Sequence, residues 1–281
     1  MTIDYWCNAF TPDRRKTWHA ALEQEGVSVK LAGERDGFAE PEAMVARMDE
    51  HGIRALVLPT CELPPHAGPT DFESVACRPH ELSDFAKRFP GRFYGGWSID
   101  PRGGTGDVAR AEAALKSNHI VALHLHTHSY NRRFDDADYD PYYTLAADHG
   151  IPVVMQAGAS GGNMPSECAH PIGIDRPAIS FPNVNFVLSH TGFPWVEAAV
   201  SMALKFPNVY LGCATYSPRH WPAEFRDFAC GSGNSKVLFG SGFPVVPHSE
   251  AIAGVKALDL DADVEAELLG GTARRLFRRV D

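Results

Sequence analysis

The sequence predicts an α/β protein folded as a single (β/α)8 barrel of the TIM type. Short apolar runs rich in β-branched residues alternate with longer segments of helical period, which is the pattern of βα units that build a parallel sheet. Eight such runs can be counted in 281 residues, and barrels of about 250 residues are ordinary single domains. With 44% hydrophobic residues the chain can bury one large core. No internal repeat, low-complexity tract or linker divides it, so residues 1–281 are read as one domain.

The first strand is read at Thr2–Trp6. A helix at Pro41–Glu50, stopped by Gly52, leads into the second at Arg54–Leu58. The third, Phe93–Ser98, is followed by a helix over Asp107–Ser117 with Ala and Leu at helical spacing, and then by a fourth strand at Ile120–His126. A helix over Tyr142–Asp148, closed by Gly150, precedes the fifth strand at Pro152–Gln156. Glycine just past a helix with a strand immediately after is the usual αβ connection. Asn185–His190, Val209–Cys213 and Lys236–Gly240 complete the eight. The tail, Asp263–Phe277, carries Leu268, Leu269 and Leu276, with Arg274, Arg275, Arg278 and Arg279 placed where cations suit a helix C-terminus.

Three segments read as long loops on the face where the strands end: Ala9–Ala39, Thr60–Arg78 and Ala159–Pro177, the last containing Ser160-Gly161-Gly162. Long loops inside a compact fold carry function or mobility. The acidic run Asp135–Asp140 lacks the central Gly and terminal Glu of a calcium loop and is read as a polar cap on the helix from Pro141. Gly103–Gly106 is not followed by Lys and Ser/Thr, which excludes a phosphate loop.

A formal charge of -9 argues against nucleic-acid or anionic-membrane partners, which need clustered Lys and Arg, and points to a small-molecule substrate. The polar N-terminus and the lack of any run of about 18 apolar residues predict a soluble, cytoplasmic protein. The six cysteines show no Cys-x-x-Cys spacing and are expected to be reduced and packed as small hydrophobes. The sequence leaves the oligomeric state open, with a homodimer as the candidate.

Chemistry is expected at the carboxyl ends of the strands, where parallel barrels place it. Asn185–Trp195 delivers His190 there, followed by Thr-Gly, and His190 is the leading catalytic candidate. Leu123–Ser129 offers His124, His126 and His128. Period-2 alternation puts all three on one face of the fourth strand or its extension, with His128 a catalytic candidate and His126 a substrate contact. Same-face positions lie about 7 Å apart, too far for three of them to share one tetrahedral zinc. Arg176, among Arg14, Arg132, Arg133 and Arg176 on the loops, is the candidate to hold a substrate carboxylate, and Tyr216 and His220 are rim candidates.

Ile3-Asp4-Tyr5-Trp6-Cys7-Asn8, Pro152–Gly158, Asn185–Trp195 and Lys236–Pro244, with the closing Gly270–Phe277, together resemble the amidohydrolase-related family that includes aminocarboxymuconate-semialdehyde decarboxylase. The resemblance covers nearly the whole chain. It implies a metal held by His-x-His after strand 1, His after strands 5 and 6, and Asp after strand 8. Those positions hold Trp6 and Asn8, Gln156, His190 and Gly242 here. One imidazole and no carboxylate remain, so chemistry without a metal or other cofactor is expected, a zinc-type ion at the other histidines being the alternative. Asn8 and Gln156 become candidate oxyanion donors, and Trp6 a flat face for an unsaturated ring or a filler of the ion's space. Asp4 either orients a histidine or anchors a loop.

The resemblance implies hydrolysis or decarboxylation of small, often cyclic or unsaturated carboxylic acids. The expectation from the residues is hydrolysis of an ester, lactone or activated carbonyl, with His190 as base and His128 as acid or polarising donor. The alternatives are non-oxidative decarboxylation or another carbon–carbon lyase step, and a non-catalytic small-ligand binder.

Overall fold

The computed structural model describes residues 1–24, 37–63, 73, 75–160 and 163–280. Eight strands, β1 (Thr2–Asp4), β2 (Ile53–Thr60), β3 (Phe93–Ser98), β4 (Ile120–Leu125), β5 (Val153–Gln156), β6 (Phe186–Ser189), β7 (Val209–Gly212) and β8 (Val237–Leu238), form one sheet in chain order. Every ladder is parallel. The segments beyond β1 and β8 are stitched together: Tyr5 N donates to Phe239 O at 3.1 Å, Asn8 N to Phe243 O at 2.9 Å and Gly242 N to Trp6 O at 2.8 Å. Asp4 anchors this seam. Its carboxylate accepts from Trp6 N at 3.1 Å, Ser241 N at 3.0 Å and Ser241 Oγ at 2.5 Å, and lies 3.2 Å from buried His248 Nε2. Both roles expected for Asp4 fit these bonds: it anchors the seam and lies against His248.

The helices are α1 (Pro12–Gln24), α2 (Pro41–Glu50), α3 (Pro79–Arg88), α4 (Gly104–Leu115), α5 (Thr127–Tyr130), α6 (Asp140–His149), α7 (Asp175–Ser180), α8 (Val196–Lys205), α9 (Ala223–Cys230), α10 (His248–Lys256), α11 (Ala262–Ala266) and α12 (Thr272–Leu276). The first predicted loop therefore contains a helix, α1, held down by buried Trp18 and by Arg14, which is buried and paired with Glu81 at 2.8 Å. Residues 25–36, 64–72, 74, 161 and 162, which include parts of all three predicted loops, lie outside the described residues.

Two buried clusters sandwich the sheet. One draws Ile3, Tyr5, Ala55, Val57, Tyr94, Val154, Val187 and Leu238 together inside the barrel, and the other packs the helices against the outer faces of the strands. The tail is not one helix, because a π turn at Glu267–Gly271 separates α11 from α12. There the backbone of Gly270 lies directly on that of Met1 and Ile3, an approach no side chain permits. Beyond it, Ala273, Leu276, Phe277 and Val280 join the interior cluster from below. The tail arginines donate to carbonyls of other segments: Arg279 Nη1 to Ile120 O at 2.8 Å and Leu115 O at 2.9 Å, and Arg275 to Ser235 O at 3.0 Å. The tail thus crosses the amino-terminal ends of the strands, leaving the carboxyl-terminal ends for chemistry.

Tyr5 spans the barrel interior, its hydroxyl 2.5 Å from Ser189 Oγ. It passes where Gly212 and Gly240 carry no side chain; a methyl on Gly212 would overlap the phenol. Gly212→Ala is therefore expected to cost about 1–3 kcal/mol by overpacking. Tyr5→Phe in the same chain should recover part of this in urea melts, and strictly additive losses would remove the steric account.

Candidate active site

β4 ends at Leu125, and the chain turns at His126 into the short helix α5. Of the three histidines expected on one strand face, only His124 is in the strand. The turn packs them closer than an extended strand would, with ring centroids 6.4 Å apart for His124–His126 and 5.5 Å for His126–His128. All three are buried. His190 also lies one residue past its strand, in a turn where it (φ 68) and Thr191 (φ 58) are both left-handed. A non-glycine residue there costs about 1–3 kcal/mol, and such strain persists where surrounding structure fixes it, often at functional sites.

Trp6 sits between the two groups. Its indole meets His124 edge-on at 4.7 Å and His190 at 4.8 Å, and only 3% of Trp6 is exposed. The geometry fits the space-filling reading of Trp6, since little of its face is left for a substrate ring. Asn8 holds the indole in place. Its Oδ1 accepts from Trp6 Nε1 at 3.1 Å, while its Nδ2 donates to Gly242 O at 3.2 Å and Phe243 O at 3.0 Å. With both ends of the amide engaged, Asn8 clamps the β1–β8 seam and offers no spare donor for an oxyanion. Gln156, at the end of β5, bonds the His126 side chain, whose Nδ1 is 2.7 Å from Ser129 Oγ.

His128 Nε2 donates to Gly158 O at 2.9 Å. Its Nδ1 and that of His190 are buried with no hydrogen-bond partner among the described residues. Burial is the main cause that pushes all four imidazoles below the ordinary range, His124 and His190 to about 3. Mutual repulsion adds to this, His190 acting on His124 and His128 on His190. The Gly158 carbonyl partly offsets it for His128, as Gln156 does for His126. The cluster is therefore neutral at rest.

Other candidates fall elsewhere. Arg176 is exposed on α7, where its charge acts on Asp135, and the structure places it outside the packed cluster. Arg132 pairs with Asp136 and Asp138, and Arg133 with Asp135. Tyr216 is half-buried at the rim, its ring 6.3 Å from that of Phe193, while His220 is exposed beside Arg219. Gly158, Ser129 and Ser189 complete the surroundings. None was signalled by the sequence, and Gly158 acts through a backbone carbonyl that every residue possesses.

The sequence pattern that defines amidohydrolases matches residues 3–279. The chain belongs to the amidohydrolase family. No curated protein sequence matches it. Among solved structures, this family member is similar to an uncharacterised TIM-barrel protein from Bordetella bronchiseptica, at 24% identity over 99% of both chains with a TM-score of 0.78. It is also similar to 5-carboxyvanillate decarboxylase from Sphingomonas paucimobilis, at 15% identity over 99% of this chain and 98% of the other, TM-score 0.65. A third is 4-oxalomesaconate hydratase from Rhodopseudomonas palustris, at 17% identity over 100% and 97% of the chains, TM-score 0.65. These likenesses speak to the fold.

The residues present do not fit the divalent ion that the family resemblance implies. An indole occupies the strand 1 position between two imidazoles, the neighbouring amides are engaged, and Gly242 brings no carboxylate. Among the described residues, no three His, Cys, Asp or Glu side chains converge as metal ligands. No helix among them is long and apolar enough to cross a membrane.

Proposed function

We propose that this family member is a metal-independent, non-oxidative decarboxylase of a small unsaturated or aromatic carboxylic acid. The carrying observation is the cluster of His124, His126, His128 and His190, buried imidazoles that burial holds neutral, with Trp6 set between His124 and His190. A carboxylate arriving at the cluster brings a negative charge beside these neutral imidazoles and raises the proton affinity of the nearest one. One proton then enters with the acid. The imidazolium, His190 or His128, donates that proton to the carbon bearing the carboxylate. The carbon–carbon bond breaks, its electron pair forms the new C–H bond, and carbon dioxide leaves neutral. The step consumes R–COO⁻ and H⁺, yields R–H and CO2, and restores the neutral imidazole.

Hydrolysis and hydration both require an activated water. A His190 held weakly basic by burial gains proton affinity only from a charged substrate, and an uncharged ester or lactone would leave it too weak a base for that task near neutrality. Similarity of fold to a decarboxylase supports the reading as analogy only.

The test is gas release from a panel of hydroxylated benzoates and unsaturated dicarboxylates in chelator-treated buffer, together with elemental analysis of the protein. One CO2 per acid consumed, undiminished by chelator and without stoichiometric zinc or manganese, is expected. Activity that chelation abolishes and one manganese ion per chain restores would refute the metal-free chemistry. Cleavage of esters or lactones without gas would return the hydrolase reading, and a ligand-dependent rise in Tm without turnover would mark a binding protein.

A further inference from the structure

We propose that Gly158 is a positioning residue that sets His128 and His190 against each other. The inference rests on the decarboxylase reading only in treating those two histidines as the proton-handling groups. Gly158 follows β5 with φ 100, a conformation that L side chains rarely adopt, and its Cα lies flat on the turn that carries His190. A methyl there would overlap Phe193 O and stand 2.8 Å from Gly192 C and 3.1 Å from Phe193 N. Hydrogen bonds on both sides fix this contact: Gly158 N donates to Ala169 O at 3.0 Å, and Ala159 N to Phe193 O at 2.7 Å.

The same residue reaches the other histidine through its carbonyl, which accepts from His128 Nε2 at 2.9 Å. A carbonyl can only accept, so this bond selects the Nε2–H tautomer and leaves Nδ1 of His128 as the bare nitrogen. Gly158 thus fixes the tautomer of one imidazole while its backbone packs on Gly192 and Phe193, directly after the left-handed pair His190 and Thr191 that aims the other. Any side chain at 158 separates the two loops and turns the carbonyl away from His128.

The experiment is long-range 1H–15N NMR of the full chain with 15N-labelled histidine at pH 7.5, with His128 assigned by signal loss in His128→Gln. In the wild type His128 should show a single Nε2–H tautomer. In Gly158→Ala its signal should divide between tautomers and that of His190 should move. On any acid that releases CO2, kcat should fall by about 10²-fold with little change in KM, as expected for misplacing catalytic groups by about 1 Å. Wild-type His128 protonated on Nδ1 would overturn the proposal, as would a folded Gly158→Ala protein with both signals unchanged. If Gly158→Ala fails to fold, the wild-type tautomer alone decides. The spectrum needs no substrate, so an absence of CO2 release would defeat the decarboxylase reading without touching the assignment of Gly158.

Discussion

Replacing His190 by asparagine should lower kcat/KM for CO2 release by about 10²–10⁴-fold, the usual contribution of a positioned acid or base. The fold should survive, for a reason specific to this site. His190 is left-handed at φ 68, and asparagine is among the few residues that tolerate that region well. Asparagine also keeps a polar group near Trp6 but has no titratable nitrogen. Thermal melting and the rate are to be measured on the same preparations. A mutant that melts normally and retains most of its rate would take His190 out of the chemistry, and one that unfolds would show that its packing against Trp6 is what matters.

Acid should destabilise the protein steeply well above the pH at which most carboxylates titrate. His124 and His190 have an ordinary value of 6.5 in the unfolded chain and about 3 in the native one. Above pH 6.5 both states are neutral at these sites, and the histidines add no pH dependence. Between about 6.5 and about 3 the unfolded chain holds the protons and the native one does not, so stability falls as pH falls. Each fully shifted histidine removes about 1.4 kcal/mol per pH unit. At pH 5 the two together remove about 4 kcal/mol by that slope, and His126 and His128 act in the same direction. Domains hold only about 5–15 kcal/mol in all. Urea melts at pH 7.5, 6 and 5 should show this loss, with a shallower fall in His124→Leu. A stability independent of pH across that range would mean that the imidazoles are not held neutral.

All eight strands were legible in the sequence, since apolar β-branched runs between helical segments leave few other arrangements. Pro41–Glu50 and Phe93–Ser98 fall where the pattern puts them. α1 was not legible, because its sequence PDRRKTWHAALEQ shows no apolar stripe and its anchors, Trp18 and Arg14, are single residues. His124, His126 and His128 were visible as a group, but period-2 alternation holds only while a strand runs on, and here Thr127 begins a helical turn. The positions of Trp6, Asn8, Gln156 and His190 could be found by resemblance. The carbonyls that Asn8 and His128 bond could not be, because every residue carries one. The low proton affinity of His190 was equally hidden, being set by burial in the assembled barrel rather than by any sequence neighbour.

The tail acts as a stopper beneath the strands. With Leu276 and Phe277 packed under the interior and Arg279 tied to the start of β4, the amino-terminal end is stoppered, and on the proposed decarboxylase reading both acid and CO2 would pass at the carboxyl-terminal end. Entry and exit would then share one resistance. A loop change that eases the arrival of substrate eases the departure of product in proportion, altering the tempo of the cycle while leaving the chemical step as it was.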